Sequence, residues 1–258
     1  MFRPNSSKSR LRNDEPVFGL VHTLAHPPVA EMIGIAGYDF VVVDGEHGIG
    51  GESQQTACLQ ALAATAATAI LRVPSHDLVP IRRALDAGAE GILVPDVRNA
   101  AQAAAIASTC FYPPRGTRGF SAGTIRASDY GLNVEDYVGS GGRELLVCAM
   151  IESAEGVDNV GEIAAIDGID VIQVGPFDLS CELGIPGQFE HPDFCDALRR
   201  IEAGAAAADK ILGGVPLPGL GLGDLLERGY RMITLGADVA MLAGALKDAL
   251  AAKNTPRD

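Results

Sequence analysis

The chain has 258 residues, of which 47% are hydrophobic and 5% aromatic, and its formal net charge is −13. That length accommodates a single large domain with a sizeable core, and the acidic balance, with no stripe of basic residues, excludes a nucleic-acid backbone as partner. No apolar run approaches the roughly 18 residues of a spanning helix, so no membrane role is expected.

Residues 1–15 (MFRPNSSKSRLRNDE) lack the apolar centre of a signal peptide, and the expectation is a cytoplasmic protein with a flexible N-terminal tail at 1–15 and one domain at 16–258. Short β-branched runs then recur along the chain. They fall at 17–23, 39–44, 69–73, 91–95, 144–152, 170–175, 211–216 and 232–236. Stretches with helical spacing alternate with them at 28–36, 53–66, 77–87, 99–108, 155–165, 193–208, 222–228 and 238–251. Eight strands, each followed by a helix, predict an α/β fold, a (β/α)8 barrel in a single domain, rather than an open doubly wound sheet. The long connection between the fourth and fifth strands carries YPPRGTRGF, a stiff cationic loop rather than a linker. The five cysteines (58, 110, 148, 181 and 195) are scattered without a CxxC pair and read as reduced thiols.

Chemistry in such barrels sits where the C-terminal ends of the strands converge. The first strand ends at His22 and Thr23, the second enters Asp44-Gly45-Glu46-His47, the third ends beside Arg72, the fifth at Glu152, and the sixth leads through Gly175-Pro176-Phe177 to Asp178. Glu152 and Asp178, from adjacent strands, offer oxygens to one hard cation such as Mg2+ or Mn2+, or else pair with rim arginines. Arg72 is placed to hold a ketone oxygen and stabilise an enolate, or to bridge Asp44 or Glu46. His47 is the first choice as general acid–base, and His22 a second whose role is equally packing. A Schiff-base route would need a lysine at a strand end. Lys8, Lys210, Lys247 and Lys253 all lie elsewhere in the pattern, which leaves the metal route for aldol chemistry.

The motifs PPVAEMIGIAGYDFVVVDGEHG (27–48), ILRVP (70–74), LDAGAEGILVPDV (85–97), YPPRGTRG (112–119), MIES (150–153), GPFDLSCELG (175–184) and ITLGAD (233–238), in this order, resemble the HpcH/HpaI class II pyruvate aldolases. The resemblance covers about 17–246. It implies Glu152 and Asp178 as ligands of Mg2+ or Mn2+, with Co2+ or Zn2+ as alternatives, and no Schiff-base lysine. It also implies Arg72 at the ketone oxygen, His47 as acid–base group with Asp44 and Asp86 as acidic partners that position it or an intervening water, and a substrate carboxylate received by the backbone amides along Gly175, Pro176, Phe177 and Asp178. Hexamers with exchanged C-terminal helices, and Arg118 near the aldehyde end of the site, are further implications.

One departure stands out: many members carry glutamine where this chain has Met150. The expected activity is cleavage or formation of 4-hydroxy-2-oxo acids from an aldehyde and pyruvate, or a close analogue such as hydroxypyruvate, held as an enolate. Two rivals remain: an acyl-CoA-dependent condensing enzyme of citrate-synthase or malyl-CoA-lyase type, for which Arg115, Arg118 and Arg126 are the candidate basic patch, and a non-catalytic 2-oxo acid binding protein.

Overall fold

The computed structural model describes residues 2–254; residue 1 of the expected tail and residues 255–258 of the expected domain lie outside the described residues. The strands are β1 (Val17–His22), β2 (Phe40–Asp44), β3 (Thr68–Arg72), β4 (Gly91–Val94), β5 (Leu146–Ile151), β6 (Val171–Val174), β7 (Ile211–Gly214) and β8 (Tyr230–Ala237). They pair in sequence order into a closed barrel, every pair parallel and β8 returning to β1. Around them run α1 (Ser6–Arg12), α2 (Pro27–Ile35), α3 (Glu52–Leu62), α4 (Leu78–Asp86), α5 (Ala100–Cys110), α6 (Val134–Glu144), α7 (Ala154–Asp158), α8 (Val160–Ala164), α9 (Pro176–Glu182), α10 (Pro192–Ala207), α11 (Leu222–Glu227) and α12 (Asp238–Ala251). None of the helices is long and apolar enough to cross a membrane among the described residues.

A strand alternates its side chains, and a closed barrel buries both sets. Phe40, Val42, Ile70, Leu93, Cys148, Met150, Val171 and Met232 fill the barrel interior, while Val41, Val43, Leu71, Ile92, Val147, Ile151 and Ile172 pack outward under the helices. This explains why the strands read as continuous apolar runs rather than alternating ones.

The N-terminal segment departs from the expected tail. Asn5 caps α1 by accepting the Lys8 N–H at 2.9 Å, and Leu11 joins the interior cluster beside Val17 and Phe40. Lys8 is buried, with its ammonium donating to the Leu145 carbonyl and bridging Asp170 at 2.8 Å. Arg3 meets Glu90 at 2.5 Å. The segment therefore closes the N-terminal end of the barrel. It reads as polar by composition because its charged groups are paired there rather than solvated.

Two other details refine the expected pattern. The helix expected at 155–165 is divided at Asn159 into α7 and α8, and the short α9 is an additional element directly after β6. The long insert contains α5, a 3-10 turn at Arg126–Gly131 and α6, and it anchors on Arg118, which is 5% exposed.

Candidate active site

At the end of β2, Gly45 turns the chain tightly enough for its N–H to reach the Arg72 carbonyl at 2.8 Å, and a Cβ at Gly45 would meet that oxygen at 2.6 Å. Gly48 is equally constrained, since a Cβ there would fall 2.1 Å from the Asp44 carbonyl oxygen. The turn places Asp44, Glu46 and His47 at the mouth. Asp44 and Arg72 are register partners on β2 and β3. Their side chains form a fork, Arg72 Nε to Asp44 Oδ1 at 2.9 Å and Nη2 to Oδ2 at 2.7 Å. Arg72 Nη1 also reaches Glu46 Oε2 at 3.0 Å. A guanidinium has five N–H groups, so two remain for a ligand oxygen. The salt-bridge role and the oxygen-holding role of Arg72, posed as alternatives by the sequence, are therefore compatible.

Burial pushes the Asp44 carboxyl up, but the Arg72 guanidinium and the backbone N–H groups of Glu46 and His47 outweigh it and hold the pKa below the ordinary carboxylate range. Asp44 does not orient the His47 ring directly, which was one of the two roles that the resemblance implied for it. Its Oδ1 accepts the His47 backbone N–H at 3.2 Å, fixing the turn instead. The His47 ring is 63% exposed and lies 3.6 Å from Glu46 Oε2, so Glu46 is the acidic neighbour of the imidazole.

Glu152 follows β5 and is 6% exposed. Its Oε1 accepts the Asp96 N–H at 2.7 Å, a bond aimed by a left-handed turn in which Asp96 has φ +50°, a region that short acidic side chains tolerate. Gly175 makes room for the carboxylate, because a Cβ there would lie 2.4 Å from Glu152 Oε2. Burial, together with the charges of Glu46 and Asp178, pushes Glu152 up to about 7 against the opposing Asp96 N–H and Arg72. Glu46 is likewise raised, by burial first and then by Asp44 and Asp178, against Arg72 and His47. Among the described residues no group of three or more His, Cys, Asp or Glu side chains forms a ready metal cage.

The stretch implied to receive a carboxylate is narrower than expected. The Gly175 N–H is committed to the Ile151 carbonyl at 3.0 Å and Pro176 has none, which leaves the amides of Phe177 and Asp178 in the first turn of α9. The Phe177 side chain is 62% exposed at the rim and stacks edge-on with Phe189.

Three residues fall outside this assembly. Asp86 ends α4 at the opposite end of the barrel, where it binds Arg118 Nη2 at 2.7 Å, so within one chain it is not a partner of His47. Arg118 also donates to Tyr137 at 2.8 Å and lies against the Tyr112 ring, so it does not line the mouth of its own chain. The sequence signal was ambiguous because LDAG is both an acidic motif and a helix end. His22 is fully buried, bridging Asp238 at 2.6 Å while accepting the His26 N–H, which selects its packing role. Glu46 and Asp96 were missed as site residues. Glu46 stood in the quoted motif beside the two residues chosen, whereas the Asp96 contact acts through a backbone N–H and leaves no residue-type signal.

The HpcH/HpaI aldolase/citrate lyase family profile matches residues 18–245. Among curated relatives, hydroxypyruvate/pyruvate aldolase of Paraburkholderia phytofirmans is 35% identical over 252 residues, covering 95% of this chain and 96% of the relative. A solved HpcH/HpaI aldolase/citrate lyase family protein from Burkholderia cenocepacia superposes with TM-score 0.91 at 35% identity, covering 97% of this chain and all of that one. The citrate synthase SbnG superposes with TM-score 0.86 at 29% identity, covering 95% and 96%. With the barrel, the fork of Asp44 and Arg72, and the buried Glu152 in hand, the chain belongs to the HpcH/HpaI aldolase/citrate lyase family.

Proposed function

We propose that this aldolase works on 4-hydroxy-2-oxo acids, releasing or condensing pyruvate or hydroxypyruvate and an aldehyde, with a divalent cation such as Mg2+ or Mn2+ held by Glu152 and Asp178. The observation that carries the proposal is Glu152, a buried carboxylate pushed up to about 7 beside Glu46 and Asp178. Such a group is poised to exchange its proton for a cation, and the donor set is the oxygen-only chemistry that hard cations prefer. When bound, the ion would supply Lewis-acid polarisation of the carboxylate and ketone oxygens of a 2-oxo acid.

The chain's own residues account for the remaining steps. Arg72, locked by Asp44, directs its two spare N–H groups at the oxygen on which enolate charge develops, and its rigidity means little reorganisation during reaction. The Phe177 and Asp178 amides face the donor carboxylate. His47, exposed beside Glu46, takes the C4 hydroxyl proton in cleavage and returns it in synthesis. The exposed apolar side chains of Val239, Met241, Leu242, Leu246 and Leu250 on α12 support a homo-oligomer, the hexamer that the resemblance implies, with this helix in the contact.

The test is proton–deuterium exchange at the pyruvate methyl in D2O, followed by NMR with Mn2+, with EDTA and with Glu152→Ala. Exchange that requires both metal and Glu152 is expected; none under any condition overturns the reading. The likeness to a citrate synthase makes acyl-CoA condensation the second reading. Against it, Arg118 is paired with Asp86, Arg126 is half-buried and donates to the Ala87 carbonyl, and Arg115 lies over the Phe111 ring, so these three form no free phosphate patch. Thiol release from acetyl-CoA and oxaloacetate would favour it.

A further inference from the structure

Arg98 stands outside the pair of acids read above as cation ligands, yet its side chain reaches three segments that hold them. Its Nε donates to Asp96 Oδ2 at 2.9 Å in the loop after β4. Nη1 lies 3.9 Å from Glu155 of α7, and Nη2 lies 3.6 Å from Glu182, the last residue of α9. The Arg98 backbone is also tied, its N–H donating to Gln102 Oε1 at 2.8 Å and its carbonyl accepting from Asn159 Nδ2 at 2.9 Å.

The three segments converge on Glu152 and Asp178. The Asp96 N–H holds Glu152 Oε1 at 2.7 Å, from a residue at φ +50°. Helix α7 begins at Ala154, just after Glu152, and Asp178 stands in the first turn of α9. With Oε1 taken, Glu152 Oε2 is left over Gly175, directly before α9. One guanidinium therefore joins the turn that grips one acid to the helix that carries the other. The bridge contributes little to stability, because the four side chains in it are 36% to 49% exposed and exposed ion pairs are individually weak. What it fixes is geometry, since a left-handed turn at a residue other than glycine persists only where its surroundings hold it.

We propose that Arg98 is a positioning residue: bound to Asp96 and reaching α9, it keeps the Asp96 N–H on Glu152 and sets the separation of Glu152 from Asp178. Its effect on metal affinity rests on the reading of these two acids as cation ligands given above. Outer partners of this kind commonly change metal affinity by about 10–100-fold. The sign of the effect separates bracing from charge. Removing a positive charge near two acids strengthens cation binding by Coulomb's law, whereas loosening the brace weakens it.

The test measures Mn2+ binding by isothermal titration calorimetry and, in EDTA, the melting temperature and the Asp96 amide proton by NMR. Arg98→Met should weaken Mn2+ binding by about tenfold or more while moving the melting temperature by no more than about 4 °C. Asp96→Gly keeps the left-handed turn but removes the carboxylate that Arg98 holds, so it should show the same loss, and combining the two changes should add nothing. Asp96→Asn keeps both the turn and an acceptor for Nε, and should stay within about threefold of wild type. Unchanged or tighter Mn2+ binding in both Arg98→Met and Asp96→Gly overturns the inference. If the wild-type protein binds no Mn2+, the cation reading fails and the amide proton decides the role of Arg98. Glu152→Ala marks the position of that proton once its hydrogen bond is lost. Arg98→Met should move it the same way, and a resonance that Arg98→Met leaves in place overturns the inference.

Discussion

At the base of the barrel Arg3 meets Glu90 at 2.5 Å, Lys8 meets Asp170 at 2.8 Å and Arg118 meets Asp86 at 2.7 Å. At the mouth the balance is different. Arg72 is already forked onto Asp44 and touches Glu46, while Glu152 and Asp178 add two further carboxylates to the same field. Both ends draw on the same residue types and both bury charge. At the base each of these acids has its own cation; the first two pairs fasten the N-terminal segment to the barrel and the third fastens the long insert to α4. At the mouth negative charge is in excess, and burial leaves Glu152 at about 7 rather than in the carboxylate range. A matched end contributes to stability; an unmatched end is destabilised until something positive binds. The same division between a stabilising N-terminal face and a reactive C-terminal face characterises barrel enzymes generally.

This contrast is broken most directly by Glu152→Ala, which should lower metal-dependent exchange at the pyruvate methyl by on the order of 10³-fold while the fold, read by circular dichroism, survives. Loss of structure instead would mean that Glu152 belongs to the stabilising set. Arg72→Met is expected to affect both activity and stability. It leaves Asp44, whose side chain is fully buried, without its counter-charge, and equilibrium denaturation should show a loss of about 3–5 kcal/mol.

The pH dependence sharpens the comparison. The pKa of Glu152 in the folded state, about 7, lies above that of an unfolded glutamate. Its contribution is therefore fully present below the unfolded value and is lost as pH rises through about 7, by at most about 3 kcal/mol. Melting temperatures measured from pH 4.5 to 8 with EDTA should fall through this group, and saturating Mn2+ should remove the fall. An unchanged pH profile in Glu152→Ala would assign the effect elsewhere. The smallest effect belongs to the base: Lys8→Met breaks a pair in which Asp170 remains partly exposed, and should cost about 2 kcal/mol with exchange per folded molecule unaltered. If exchange fell instead, the two ends would not be separable.

Much of the fold was legible because closed parallel barrels repeat a simple unit. Eight β-branched runs, each followed by a helical stretch, survive small errors at their ends, and the observed strands fall within one to two residues of the expected ones. The exception was the N-terminal segment. Its pairing across the barrel base depends on Glu90, Glu144 and Asp170, far along the chain, and periodicity carries no information about such distant partners.

The sequence by itself determined the barrel, the family and the strand ends that supply Asp44, His47, Arg72, Glu152 and Asp178, because strand order fixes which loops share the mouth. Only the tertiary structure decided which of these residues touch. It bound Asp44 to Arg72 rather than to the His47 ring, made Glu46 the neighbour of that ring, and carried Asp86 and Arg118 to the opposite end. It also left the carbonyl oxygen of Gln173, beside Gly213 in the barrel interior, without a hydrogen-bond partner. These outcomes depend on side-chain direction and on competition among nearby charges, both of which arise only when strands distant in the chain are brought side by side.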